Sequence, residues 1–185
     1  NYDFIFISEL AKRLPKHPFL QNVEAEDGGF SEEKIKLPEK MLSTDKAYSW
    51  EEVNKWLERV AKFSKEINYS LNDVKIKGTA KLDGFAGFDD GMKLYTRGDG
   101  NKGSDRSRVF ERGLGVFNDS RRGQGPGEIV VKRSYFEKHL GDNFEHPRNF
   151  QASLIKEKEL DKFAVDAISE KAALFVPFTQ LPQWL

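Results

Sequence analysis

The residues best suited to chemistry sit in one short run, Lys81-Leu82-Asp83-Gly84. The surrounding segment, Thr79 to Phe88, reads as a strand, and on a strand residues i and i+2 share a face. Thr79, Lys81 and Asp83 then point one way and Leu82 the other. A lysine held there either snorkels its ammonium to solvent or acts as a nucleophile. The second role requires a neutral amine, obtained by desolvation or by nearby positive charge. Gly78 and Gly84 bracket the run, and glycine within a strand marks close approach of a ligand. Asp83 is placed to hold a sugar hydroxyl or a metal.

Three further stretches carry weaker signals. In Thr96-Arg97-Gly98-Asp99-Gly100 the glycines predict a tight turn presenting a guanidinium, whose fork suits phosphate oxygens; an ordinary charged turn has the same composition. The Arg-Gly-Asp triplet inside it matches an adhesion motif, a coincidence since no secretory signal is expected. Glu128 opens the apolar run Gly127–Val131 after a flexible stretch and is a candidate for a ribose or a metal. Arg148, Asn149 and Lys156 form a second cationic group that equally fits plain surface. The histidines at 17, 139 and 146 have no partner spacing for a metal or a triad.

The elements that must position these residues follow from periodicity. Residues 4–14 read as a helix stopping before Pro15, and 15–40 as loop with a short hairpin. Tyr48 to Ile67 gives the clearest helix. Ser49 is its N-cap, Glu52 completes a capping box, and Tyr48 with Val53 forms a hydrophobic staple. Val53, Trp56, Leu57, Val60, Phe63 and Ile67 recur at helical spacing, predicting one apolar stripe against a core. Beyond Asn72 the pattern turns to strands joined at Asp89-Asp90-Gly91, with another strand at Gly127–Val131 and a last one at Ala172–Phe178. Helical stretches fall at Ser134–Leu140, Arg148–Leu160 and Asp161–Ile168. Strands mixed with helices, without regular βαβ spacing, predict an α+β domain with largely antiparallel sheet.

The 185 residues include 15 phenylalanines and no cysteine, and 30 basic residues balance 30 acidic ones. A real core can form, while a disulfide framework and cysteine-based zinc modules are excluded. The neutral balance argues against tight DNA binding by this piece alone. No apolar run approaches the ~18 residues of a membrane-spanning helix, and a cytoplasmic protein is expected.

Taken in order, Met41–Ser49, Lys81–Gly84, Thr96–Gly103, Gly127–Val131 and His146–Asn149 resemble the adenylation domain of bacterial-type NAD⁺-dependent DNA ligases, from residue 2 to about residue 178. The resemblance implies the nucleotidyltransferase (ATP-grasp-like) fold of ligase adenylation domains, with mainly antiparallel sheets and flanking helices. It also implies a reaction. Lys81 attacks the α-phosphate of NAD⁺, nicotinamide mononucleotide leaves, and the lysyl-AMP passes its AMP to the 5′-phosphate of nicked double-stranded DNA. Mg²⁺ is expected with the phosphates. By the same match Asp83 and Glu128 serve the ribose or catalysis, with Leu82 beside them. Arg97, Arg148 and Lys156 contact nucleotide or phosphate, and Ser43, Thr44 and Thr79 line the adenine pocket. Tyr2 and Asp3 match a pair ending the family's nicotinamide-recognition domain.

Some positions depart from the family's pattern and mark a divergent, truncated or split member. Thr79 stands where glutamate is usual, His146 where asparagine is, and Lys156 where arginine is, which keeps the charge and loses the two-pronged geometry. The hairpin between Lys81 and Arg97 is shorter than usual. The expected organisation is residues 1–20 as the tail of the nicotinamide-recognition domain and 21–185 as an adenylation domain incomplete at its C-terminal end. It would be completed by further domains or a second chain. Two other readings fit the same residues: a nucleotide-binding or subunit-docking fragment without activity of its own, and an ATP-using enzyme of the RNA-ligase or capping type.

Overall fold

In the computed structural model of the chain, residues 34–41, 45–156 and 159–182 are described. The expected helix at 4–14, and the candidates Tyr2, Asp3, Ser43 and Thr44, lie outside these residues. The chain divides into two compact units. The described residues of the first are 34–41, 81–156 and 159–181; those of the second are 45–80 and Pro182.

The second unit is built on helix α1, Trp50–Glu66. Ser49 caps it as expected, its Oγ accepting from the Glu52 N–H at 3.2 Å. The Glu52 carboxylate reaches back one residue further than a capping box, to the N–H of Tyr48. The apolar stripe differs from expectation. Ser64 is the buried residue of α1, while Trp50, Phe63 and Ile67 are 82%, 61% and 56% exposed. The rest of the unit is a short 3₁₀ turn, Leu71–Asp73, and an extended segment. A stripe is buried only when a second layer faces it, and the described part of this unit sets only the extended run Val74–Lys77 beside Trp56 and Val60.

The first unit holds a five-stranded sheet. Strand β1, Ile35–Lys36, belongs instead to a two-stranded sheet with β4, Lys102–Gly103. Strands β2 (Phe85–Asp89) and β3 (Leu94–Thr96) form the expected hairpin. Asp90 builds its turn, one carboxylate oxygen accepting from the N–H groups of Met92 and Lys93 at 2.8 and 2.6 Å. Gly91 takes φ +95° there, a region only glycine enters freely. After α2 (Arg108–Glu111) and β5 (Gly115–Val116) comes β6 (Gly125–Val131). The short helix α3 (Arg133–Tyr135) runs into a π-turn, and α4 (Pro147–Lys156), α5 (Lys162–Ser169) and β7 (Ala173–Pro177) follow. The sheet order is β3-β2-β6-β7-β5, antiparallel except for β5 against β7. The α+β, largely antiparallel architecture expected from sequence is the one observed.

The register separates two faces. Phe85, Ile129 and Phe175 lie opposite one another and pack with Phe150 and Leu154 of α4 and Ala164 and Ile168 of α5 in the main core. The other face shows Phe88 and Tyr95, covered by Leu37 and Met41. A buried carboxylate ties the edge of this sheet to the run before β6. Asp89 accepts from Arg122 Nη2 at 2.8 Å and from the N–H groups of Gly123 and Gly91 at 2.9 and 3.0 Å. The Arg122 guanidinium lies 3.9 Å over the Phe110 ring.

Candidate active site around Lys81

Lys81 does not sit within a strand. Residues 81–83 are irregular and β2 begins at Phe85; Thr79 makes only an isolated bridge and belongs to the second unit. The shared face expected for Thr79, Lys81 and Asp83 is therefore not formed. β6 pairs with β2 from Ile129 opposite Phe85 onward, so the ladder starts after the lysine. Lys81 and Asp83 are exposed and Leu82 is half-buried.

Gly84 is needed because another strand approaches it rather than a ligand. A Cβ there would stand 2.4 Å from the Ile129 carbonyl oxygen and 2.9 Å from Glu128 Cγ. In that seat the Gly84 N–H donates to Glu128 Oε1 at 3.1 Å. Ala86 opposes Glu128 on β6, and the Ala86 carbonyl accepts from the Arg97 N–H at 3.3 Å. Directly opposed residues share a face, so Glu128 and Arg97 flank β2 on the face away from α4 and α5, their backbones ~10 Å apart. Both side chains are half-buried. An acceptor for hydroxyls and a fork for phosphate thus border the strand that Lys81 leads into.

The turn after β3 is held by its aspartate. Asp99 Oδ1 accepts from the N–H groups of Lys102 and Asn101 at 2.7 and 2.9 Å. These two bonds, Lys102 first, hold its carboxyl below the usual range. Asp99 is thereby spent on shaping the loop that carries Arg97. Gly98 is fixed sterically, since a Cβ would fall 2.0 Å from the Lys102 carbonyl oxygen.

The cationic group expected on α4 is split. Arg148 and Asn149 are exposed in its first turn and Lys156 is its last residue, ~12 Å further along the axis. Lys156 lines a cleft of about 400 Å³ with Arg106, Arg108 and Arg112 and with the carboxylates Asp105 and Glu111. Asp105 is engaged there by Ser107 and by Lys93 Nζ at 3.3 Å. A cleft with more cations than carboxylates suits an anion.

Sequence reasoning gave no role to two residues. His146 Nε2 lies 3.6 Å from Asp83 Oδ2, a contact no local spacing announces. Gln151 is fully buried, and its Nε2 donates to the Asp83 carbonyl at 3.1 Å. Its signal was available: Phe150, Gln151, Leu154 and Ile155 form one helical stripe, and an amide on an apolar stripe needs a partner. No group of three or more His, Asp or Glu that could hold a metal occurs among the described residues.

No family model matches the chain. Among curated proteins, a DNA ligase of Ruthia magnifica is 60% identical over 184 residues, spanning all of this chain. The chain belongs to the DNA ligase family. A DNA ligase of Shewanella baltica is 51% identical over 97% of the chain, and one of Wolbachia 35% identical over 74%. The chain spans 30%, 28% and 20% of the lengths of these three DNA ligases.

Proposed function

We propose that this segment is the adenylation core of an NAD⁺-dependent DNA ligase and that Lys81 is its nucleophile. The observation that carries the proposal is the Lys81–Gly84 lead-in to β2. An exposed lysine ends in a glycine seated against β6, with Glu128 and Arg97 bordering the same strand. The resemblance adds NAD⁺ as AMP donor and the nucleotidyltransferase fold.

In this reading Lys81 Nζ forms a bond to the α-phosphorus while the bond to nicotinamide mononucleotide breaks, and the amine proton leaves to solvent or a nearby base. Arg97 offers a bidentate contact to phosphate oxygens. Asp83 and Glu128 accept from ribose hydroxyls, and His146 stands beside Asp83. With little covalent chemistry for the protein, the rate comes from placement and charge stabilisation. Mg²⁺ fits only as an ion brought with the nucleotide, held by phosphates, waters and one or two carboxylates; its chemistry would be to neutralise phosphate charge. Transfer of the AMP to a DNA 5′-phosphate and sealing by the 3′-hydroxyl complete the proposal, with the remaining length of such ligases supplying the DNA grip.

Intact mass of the full-length protein after incubation with NAD⁺ and Mg²⁺ tests this, with ATP and Lys81→Ala as comparisons. A single AMP adduct from NAD⁺ alone, absent in Lys81→Ala, is expected. Labelling that survives in the variant overturns the nucleophile, and labelling from ATP alone overturns the donor.

A further inference from the structure

The carbonyl that Gln151 holds and the N–H that Glu128 holds belong to the same peptide bond. The Asp83 oxygen accepts from Gln151 Nε2 and the Gly84 nitrogen donates to Glu128 Oε1, each at 3.1 Å. The two side chains come from different layers. Gln151 lies on α4, packed on the helical face of the sheet, and Glu128 projects from β6 on the opposite face. One peptide plane is thus gripped at both poles from two sides.

We propose that Gln151 is a positioning residue for adenylation. By fixing the orientation of the Asp83–Gly84 peptide together with Glu128, it sets the direction in which the chain presents Asp83 and Lys81. This role rests on the lysyl-AMP reading above. The segment ahead of the peptide has no ladder to hold it, and glycine at its far side permits many backbone angles. Rotating the plane breaks both hydrogen bonds at once, so the pair resists what either alone would only bias. Gln151 also bears a cost that packing does not explain. Its Oε1 is buried without a hydrogen-bond partner among the described residues, and leaving a buried polar atom unpaired is unfavourable. Phe150, Leu154 and Ile155 beside it show that an apolar side chain suits this stripe. The amide therefore serves the carbonyl it contacts.

The test compares wild type with Gln151→Met and Gln151→Glu in the full-length protein. Methionine keeps length and volume but has no donor, so a purely packing role predicts no loss. Four quantities are read: melting temperature, NAD⁺ affinity by calorimetry, the single-turnover rate of AMP-adduct formation, and exchange of the Gly84 amide. For Gln151→Met, melting and affinity close to wild type are expected, with a rate lowered about 10- to 100-fold, the range for a slightly misplaced reacting group, and faster Gly84 exchange. For Gln151→Glu, the donor exists only in the protonated acid, so its rate relative to wild type rises as pH falls. A wild-type rate in Gln151→Met, or a rate that falls only with the folded fraction, overturns the role. A wild-type protein that forms no adduct on Lys81 overturns the adenylation reading and this role with it.

Discussion

Replacing Asp89 with alanine isolates the buried carboxylate that fastens the sheet edge to the approach of β6. The side chain is 1% exposed and takes hydrogen bonds from Arg122 Nη2, Arg122 Nε, Gly123 N and Gly91 N. Breaking a buried ion pair by deleting one partner costs about 3–5 kcal/mol, mostly from the charge left behind. That range needs lowering. Arg122 is 30% exposed and stays stacked on Phe110, while Gly91 and Gly123 are exposed, so their N–H groups can reach water. The expected destabilisation is about 2–4 kcal/mol. Urea unfolding followed by far-UV circular dichroism, with hydrogen exchange of the β2 and β6 amides, reads the right unit. A double-mutant cycle with Arg122→Met should give a coupling of about 1–3 kcal/mol. A loss under ~1 kcal/mol in Asp89→Ala, with no coupling, would show that solvent replaces the whole network and refute the reasoning.

Glu128→Gln keeps an oxygen for the Gly84 N–H and removes the charge. The melting temperature should stay near that of wild type while adduct formation slows about tenfold or more; an unchanged rate would show that the Glu128 charge plays no part in adduct formation. Asp99, held below the usual carboxylate range by the Lys102 and Asn101 amides, contributes stability that is present above its unfolded value of about 3.9 and lost as pH falls through the lower folded value. Asp99→Asn keeps an acceptor but does not titrate, so its urea midpoint should fall less than that of wild type between about pH 5 and about pH 3. Parallel profiles would mean that the loop contributes nothing to acid sensitivity.

What the sequence revealed was local. The Ser49 cap and the Asp90 turn are set by residues two or three positions apart, and both formed as read. The strand containing Lys81 failed for the opposite reason. Alternation of side chains says nothing about where a ladder ends, and here the pairing of β2 with β6 ends at Phe85. The apolar stripe of α1 was legible as a pattern, but what faces it is not encoded in the helix. Within the site, Lys81, Asp83 and Glu128 could be singled out by residue type, and Gly84 joins Glu128 as Gln151 joins Asp83. Those junctions span separations for which one sequence offers no signal. His146 beside Asp83 is the same case.

The place of β7 in the sheet has a consequence for the order in which the chain can fold on the ribosome. β3, β2 and β6 are neighbours that emerge early and can pair at once, whereas β7 emerges last and lies between β6 and β5. Until it arrives, β6 presents an open edge and β5, whose partner in the sheet is β7, has nothing to join. Roughly forty residues separate the end of β6 from the start of β7, which at ordinary translation speeds is ~2–8 s. For that interval the strand carrying Glu128 is half-paired, and its unsatisfied edge can template association with another nascent chain. Slowed synthesis across residues 132–172 should therefore raise aggregation without altering any contact of the finished fold.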